Sequence, residues 1–273
     1  MLKQRVALCA IAKNENHYIR EWVAHYEKIG VQTIFLYDNN DVDGERFDNV
    51  LHDYIDTGFV RVIDARGKRK YQLPAYNECY SENGKDYDWM MFFDIDEFLF
   101  LNGKDDISDF LSQEAFSNFQ LIRINWKMFD DNDILDVEDE NYSIIRFTRP
   151  SRLNSPYNHH VKTIVRCGLM DTAFRCNPHY MNSPYKACDS IGRAVENTSM
   201  RNVNIEFRGA WINHYNTKTI GEYVRFKMRR LYPDQSDEKA KSKLTVDYFF
   251  WFNKRTREKV EYAKHLLKYN QPQ

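Results

Sequence analysis

Apolar and polar positions change period repeatedly along the first hundred residues, and the changes predict strands separated by helices. Val6 to Ile11 is an unbroken apolar run of the kind a fully buried strand carries. Ile19, Trp22, Val23, Tyr26 and Ile29 then recur at helical spacing, and Gly30 stops that helix. Thr33 to Tyr37 predicts a second strand, ending at Asp38-Asn39-Asn40. Phe47, Val50, Leu51, Tyr54 and Ile55 predict a second helix closed by Gly58, and Phe59 to Ile63 a third strand. Gln72 to Ser81 reads as a third helix and Trp89 to Phe93 as a fourth strand. Strands alternating with helices imply an α/β protein whose parallel sheet is covered on both faces, with ligands at the carboxyl ends of the strands.

The pattern changes after Asn102. Leu121–Trp126, Ile144–Phe147 and Lys162–Arg166 read as short strands with no long helices between them. Residues 168–200 show little periodicity and read as loop. Thr219 and Glu222 have the spacing of a capping box at the start of a helix, and a further helix is expected from about Ser242 to Tyr269.

Composition adds three constraints. The 273 residues carry a formal net charge of -1, but the chain from Lys218 onward carries +7 and the rest −8. A basic tail of this kind can face phosphates or an anionic membrane, or be an ordinary solvated helix face. The five cysteines, Cys9, Cys79, Cys167, Cys176 and Cys188, form no CxxC pair, which predicts free thiols in a reducing compartment. No apolar run approaches the ~18 residues of a membrane-spanning helix. Val6–Ala12 is too short for a secretory core and reads as the first strand.

The candidate chemistry sits where the fourth strand ends. Phe93 is followed by Asp94, Asp96 and Glu97, and a second apolar run begins at once. Two aspartates at i and i+2 of a strand end face one way, so both can reach one divalent cation. Magnesium and manganese accept such hard oxygen ligands and complete their shells with phosphate oxygens and water. At the end of the first strand, Ala12-Lys13-Asn14-Glu15-Asn16 can meet a nucleotide through backbone N–H groups, or Asn14 or Asn16 can simply cap the helix. Asp38 has the position of a carboxylate that contacts a ribose or base, or of an Asp-Asn turn. Arg66, Lys68, Arg69 and Lys70 could steer an anionic donor, or form a solvated loop. Gln72 and Asn77 lie near the same sheet edge, where they could bond the base or the sugar.

Five segments in this order, CAIAKNENHYIREWVAHYEKIGVQTIFLYDNN, QLPAYNECY, YDWMMFFDIDEFL, INWKMF and INHYNTKT, resemble bacterial GT-A glycosyltransferases of the family 2 type, especially the branch similar to family 92. The resemblance covers residues 5–130, 158–166 and 205–230. It implies a GT-A fold, that is, a Rossmann-like, mostly parallel central sheet with flanking helices, here with a C-terminal helical extension. It divides the chain into a nucleotide-sugar half at 1–102, an acceptor-side half at 103–217 and a basic helical extension at 218–273. It also implies metal-dependent transfer from a nucleotide-sugar donor, most often UDP-linked, to a glycan acceptor, with inversion.

By the same resemblance, Ala12, Lys13, Glu15 and Asp38 line the nucleotide site, Gln72 and Asn77 lie near the donor, and Asp94 and Asp96 form the D-x-D pair; Arg66 of the basic run is a further donor-side candidate, adding positive charge. His214 becomes a candidate third metal ligand, with a structural histidine beside Trp211 as the alternative; its imidazole would suit manganese better than magnesium. His159 and His160 could hold the acceptor or a phosphate beside Lys162, and His179 is a weaker candidate ligand. For the general base, Asp130 and Asp131 compete with Glu97. The resembling sequences usually carry small residues after the Phe of the fourth block, so the run Asp130-Asp131-Asn132-Asp133 departs from them and could be a solvated hairpin turn instead.

The setting implied is surface polysaccharide or lipopolysaccharide synthesis on a glycan that is often lipid-linked. The expected location is the cytoplasm, with peripheral contact to the inner face of the membrane through the basic helices. A sugar nucleotidyltransferase is the first alternative, but it needs a glycine-rich phosphate loop and Ala12–Glu15 has no glycine. A non-catalytic nucleotide- or glycan-binding module is the second. No nucleic-acid motif accompanies the basic tail.

Overall fold

The computed structural model describes residues 3–137, 142–153, 155–169, 177–180, 184–229 and 245–269. The chain divides into two compact units, one of residues 1–127 and 153–214, the other of 128–152 and 215–273.

The first unit is built on a twisted, mixed sheet. Strands β1 (Val6–Ala12), β2 (Thr33–Asp38), β3 (Val60–Asp64) and β4 (Trp89–Phe92) are parallel and lie in the order β3-β2-β1-β4. Strands β6 (Leu121–Met128) and β7 (Val161–Arg166) extend the sheet antiparallel, β7 pairing with both β4 and β6. Strand β5 (Glu97–Leu101) leaves β4 through the acid-rich turn and pairs antiparallel with β10 (Ala210–His214). The expected parallel sheet is therefore the first four strands, with antiparallel strands beyond β4. Two very short strands, β8 (Ala187–Asp189) and β9 (Ala194–Val195), lie where a loop is expected, because Leu121–Arg123 of β6 offers Ala187–Asp189 a free edge.

The apolar runs explain the layering. Every residue of β2 and β4 is buried, as strands covered on both faces require. Helix α1 (Asn16–Lys28) turns Tyr18, Ile19, Trp22, Val23 and Tyr26 inward. It ends at Gly30, whose φ of 86° is left-handed, and a side chain there would meet the Asp106 carboxylate. Helix α2 (Asp48–Asp56) ends likewise before Gly58, at φ 77°. Helix α3 (Gln72–Asn83) packs Ala75, Tyr76 and Cys79 against β1 and β4 residues. The short helix α4 (Ile107–Leu111) is capped by Asp106, which accepts the Ser108 N–H. Cys9, Cys79, Cys167 and Cys188 are free thiols, and Cys176 lies outside the described residues.

In the second unit, Ile144–Phe147 is not a strand. Helix α5 (Ser143–Arg146) occupies it, fixed by a two-pronged bond from the Arg146 guanidinium to Glu222, 2.8 Å on each side. Ile145 points to solvent, so the segment has no alternating buried face. Helix α6 (Ile220–Arg225) begins with the expected capping box, Thr219 and Glu222 bonding reciprocally. The single long helix expected from Ser242 is instead two helices, Val246–Phe252 and Arg257–Tyr269. The break is at Asn253, which is extended; its amide accepts the Asp131 N–H and donates to Thr217 Oγ1 and the Phe249 carbonyl. Residues 242–244 lie outside the described residues. No described helix is long and apolar enough to cross a membrane.

Arg123 of β6 is fully buried, with no carboxylate on its guanidinium. It donates to Asn202 Oδ1 (2.8 Å), Asn197 Oδ1 (3.2 Å) and the carbonyls of Ser199 (2.6 Å) and Arg201 (3.2 Å), and burial pulls its pKa down to about 10. One side chain thus holds residues 197–202 against the sheet. Arg123→Met leaves those acceptors unpaired and should cost about 2–4 kcal/mol of stability. Urea unfolding measures this, and a loss below about 1 kcal/mol would contradict the role.

Candidate active site at the acid turn

The turn between β4 and β5 ties Asp94 and Glu97 to one lysine and turns Asp96 toward a histidine. Asp94 Oδ2 accepts from the Lys162 ammonium at 2.8 Å, and its Oδ1 accepts from Gln72 Nε2 (3.2 Å) and Tyr76 OH (3.4 Å). Glu97 lies fully buried three residues further on, at the start of β5. Its Oε2 accepts the Asp94 N–H at 3.0 Å and meets Lys162 Nζ at 3.2 Å, while the Glu97 N–H returns to the Asp94 carbonyl. Asp96 turns the other way, toward His214, whose Nε2 is 3.5 Å from Asp96 Oδ1. The antiparallel pairing of β5 with β10 sets Glu97 opposite His214 and so brings that imidazole to the turn.

Lys162 is wholly buried on β7. Burial works against its ammonium, but Asp94 and Glu97 outweigh that and raise its pKa. Burial also drives Glu97 well above the usual carboxylate range, with Lys162 pulling back. Glu97 is thus built into the turn as its scaffold.

The nucleotide-side candidates line the carboxyl edge of the parallel strands. Ala12, Asp38 and Asp64 are in register across β1, β2 and β3. Asn14 adopts a left-handed φ of 56°, and its N–H donates to Asn40 Oδ1 at 2.7 Å. Lys13 pairs with Asp41 at 2.5 Å, and Glu15 is buried at the start of α1. The Asp38 carboxylate accepts the N–H groups of Asn40 and Phe47, closing the loop after β2, and burial raises its pKa. Arg66 pairs with Asp64 at 2.8 Å, and Asn77 donates to the Leu73 carbonyl of its own helix. Gln72, Asp94, Asp96, Glu97 and His214 therefore come together, while Arg66 and Asn77 have local partners.

Asp130 and Asp131 belong to the second unit. Asp131 is fully buried and pairs with Lys259 at 2.7 Å, Asp130 pairs with Arg149 at 2.7 Å, and Asp133 with both cations. The run is a turn, with Asn132 and Asp133 at φ 51° and 62°, but Asp131 is fully buried in it and all three acids pair with Arg149 or Lys259.

Sequence reading passed over Trp126, and gave Lys162 no acid partner. Trp126 stacks on His160 (5.1 Å between ring centres, 16° between planes) and touches His214 at 4.3 Å and the edge of His179 at 5.6 Å. His159 Nδ1 donates to the Asn202 carbonyl, 2.9 Å away. The available signal was Lys162 itself, a charge inside an apolar strand, which demands a buried acid.

Fit to a metal ion is partial. Asp96 Oδ1 and His214 Nε2 are an oxygen and a nitrogen ligand close to the ~3 Å spacing of neighbours around an ion bonded at about 2.1 Å. Asp94 has both oxygens engaged, and among the described residues no group of three His, Cys, Asp or Glu could hold an ion. Two protein ligands suit an ion that takes its remaining ligands from a diphosphate and water.

With this geometry in place, comparison with known proteins gives the chain its family. Residues 5–256 match the model of glycosyltransferase family 92, and the chain belongs to this family. A family 92 protein of Oryza sativa subsp. japonica is 30% identical over 106 residues, covering 39% of this chain and 18% of its own. One of Ricinus communis is 24% identical over 226 residues, 78% of this chain and 35% of its own. A galactan beta-1,4-galactosyltransferase of Arabidopsis thaliana is 33% identical over 112 residues, 38% of this chain and 21% of its own. The chain thus spans about a fifth to a third of these relatives. Among solved structures, S. aureus TarS 1-349 aligns over 96% of this chain and 79% of its own, at 13% identity and a TM-score of 0.44.

Burial holds His25, His160 and His179 at a pKa of about 4, below the 6.5 of a free imidazole. The unfolded chain binds more protons between those values, so stability falls as pH drops from 6.5 toward 4. Each imidazole weighs up to about 1.4 kcal/mol per pH unit, before solvent screening. Glu97, Asp38 and Asp131 act oppositely, their raised values favouring the folded state as pH falls, while the depressed carboxylates of Asp88, Asp136 and Glu222 act with the imidazoles. Urea midpoints should therefore be lower at pH 5 than at pH 7; an equal or higher midpoint at pH 5 would contradict the buried-imidazole assignment.

Proposed function

We propose that this protein transfers a hexose from a nucleotide-sugar donor, UDP-linked, to a hydroxyl of a glycan acceptor. The observation that carries the reading is the meeting of Asp96 with His214 beside the Asp94–Lys162 pair, at the edge where β1 and β2 also end. Family membership supports sugar transfer, and the galactosyltransferase relative makes UDP-galactose the first donor to test.

On this reading, Asp96 and His214 would hold a divalent ion, manganese or magnesium. When bound, it would supply Lewis-acid stabilisation of the departing diphosphate. Gln72 and Tyr76 fix Asp94 from the helix side, and Lys162 fixes it from the strand side. Asp94 therefore orients the turn and carries negative charge already matched by a cation, leaving Asp96 as the acid turned toward His214. The edge at Ala12, Lys13, Glu15 and Asp38 would receive the nucleoside. Because Asp131 is buried against Lys259 and Glu97 against Lys162, neither is proposed as the base that takes the acceptor's proton.

Isothermal calorimetry with UDP, with and without manganese, tests the site. Manganese should tighten UDP binding to the wild type by at least about tenfold, about 1.4 kcal/mol. Asp96→Asn and His214→Ala should each remove most of that gain. A gain that survives in both variants would sink the metal assignment, and absence of UDP binding to the wild type would sink the donor class.

A further inference from the structure

Two buried polar atoms beside the acid turn have no partner among the described residues: the indole Nε1 of Trp126 and Nδ1 of His214. Their rings touch, with centres 4.3 Å apart. A donor left unpaired out of water costs about 1–3 kcal/mol, so two in contact are expensive unless something bonds to them. If His214 presents Nε2 to Asp96 or to an ion, its other nitrogen would ordinarily donate to a carboxylate or carbonyl of the protein. Here it does not.

The rings around this pair are held by bonds that also fix their hydrogens. His160 Nδ1 lies 3.1 Å from the Tyr157 carbonyl, which only accepts, so Nδ1 carries the hydrogen. Its Nε2 accepts from Arg201 Nε at 3.3 Å. His160 is therefore a neutral, locked plate, stacked between Tyr157 and Trp126 at 15° and 16°. His179 donates from Nδ1 to the Val161 carbonyl at 2.8 Å, which leaves Nε2 of the neutral ring as an acceptor. Its edge meets Trp126, and Lys162 and Asp94 are close enough to act on its charge.

We infer that Trp126, His214 and His179 form a subsite for the hydroxyl groups of a hexopyranose. One indole N–H, one imidazole nitrogen and one imidazole acceptor, all on rigid aromatic rings, match the mixed donor and acceptor character of neighbouring sugar hydroxyls. Donor and acceptor groups set side by side suit a neutral polyol better than a phosphate, whose oxygens only accept. The subsite's contact with His214 sets the sugar next to Asp96. Arg123 supports it from behind by holding residues 197–202, and with them Arg201 against His160. The inference rests on the donor reading above, since that reading says a sugar is bound at this edge.

Saturation-transfer NMR separates the two. The probes are UDP, UDP-galactose and methyl β-galactoside with the full chain and manganese. The variants are Trp126→Phe, which keeps the stack and deletes the indole N–H, and His179→Phe, which keeps the ring edge and deletes the acceptor. Circular dichroism establishes that each is folded, and either variant alone decides the matter. In the wild type, galactose protons should be saturated; in the variants that signal should fall at least about fivefold while uridine protons keep theirs. A loss confined to UDP-galactose assigns the subsite to the donor hexose, and a loss seen also for methyl β-galactoside to the acceptor hexose. Galactose saturation that is absent in the wild type, or equal in wild type and variants, overturns the inference. Missing uridine saturation in the wild type overturns the donor reading instead, whatever the galactose protons do.

Discussion

A single buried ammonium holds this site together. Lys162 sits in the sheet with no solvent contact, between Asp94 at 2.8 Å and Glu97 at 3.2 Å. A charge so placed is tolerable only while both partners keep their geometry, because removing one leaves another uncompensated. Glu97 passes the constraint on, since the oxygen that meets Lys162 also accepts the Asp94 N–H. The β7 position, the turn after β4 and the start of β5 are therefore one coupled arrangement. Asp94 and Asp96 come out of it with different partners. Asp94 is bound into the protein on both oxygens, and Asp96 is the one turned toward His214.

The backbone leaving that turn is secured from the opposite side by aromatic donors of α1. Trp22 Nε1 and Tyr26 OH both donate to the Glu97 carbonyl at 3.0 Å, and the Leu99 N–H donates to Tyr26 OH at 3.1 Å. His25 bonds the Leu99 carbonyl at 2.8 Å. A strand that starts at a site needs such partners, because its first carbonyls would otherwise be buried without bonds. Phe100 on β5 stacks on Trp211 of β10, 8° from parallel, so the strand carrying His214 is registered by packing as well as by the ladder. A site on two strands pinned this way is held more tightly than one on loops.

What could be read from the sequence follows the range of the interactions. The first four strands and three helices were legible because each depends on its own periodicity, and the acid turn because apolar runs flank it. The Thr219 capping box was legible for the same reason, as its partners are three residues apart. Long-range pairings were not. Nothing near Lys162 names Asp94 or Glu97, and nothing near Asp131 names Lys259. Ile144–Phe147 reads as a strand from its apolar residues, but the Arg146–Glu222 pair decides the conformation there. Asn253 looked like a helix interior, but it satisfies the Asp131 N–H from another part of the chain. Propensity lost in each place to a polar group that had to be paired.

The same principle changes the meaning of the basic tail. Read along the chain, residues from Lys218 carry +7. The compact unit that contains them also contains residues 128–152, with seven acids against three bases, so the unit as a whole carries +3. Several of the cations have specific acid partners inside it: Lys259 with Asp131 and Asp133, Arg225 with Asp136, Arg255 with Asp247. Close pairs of this kind project little field into solvent, since the two charges cancel over distances longer than their separation. Any phosphate-bearing surface would therefore meet a much weaker potential than the linear sequence suggests. The Asp130–Asp133 run answers to the same logic: its acids are the counter-charges that let Arg149 and Lys259 pack, which is why a run that looked like a solvated turn is in part fully buried.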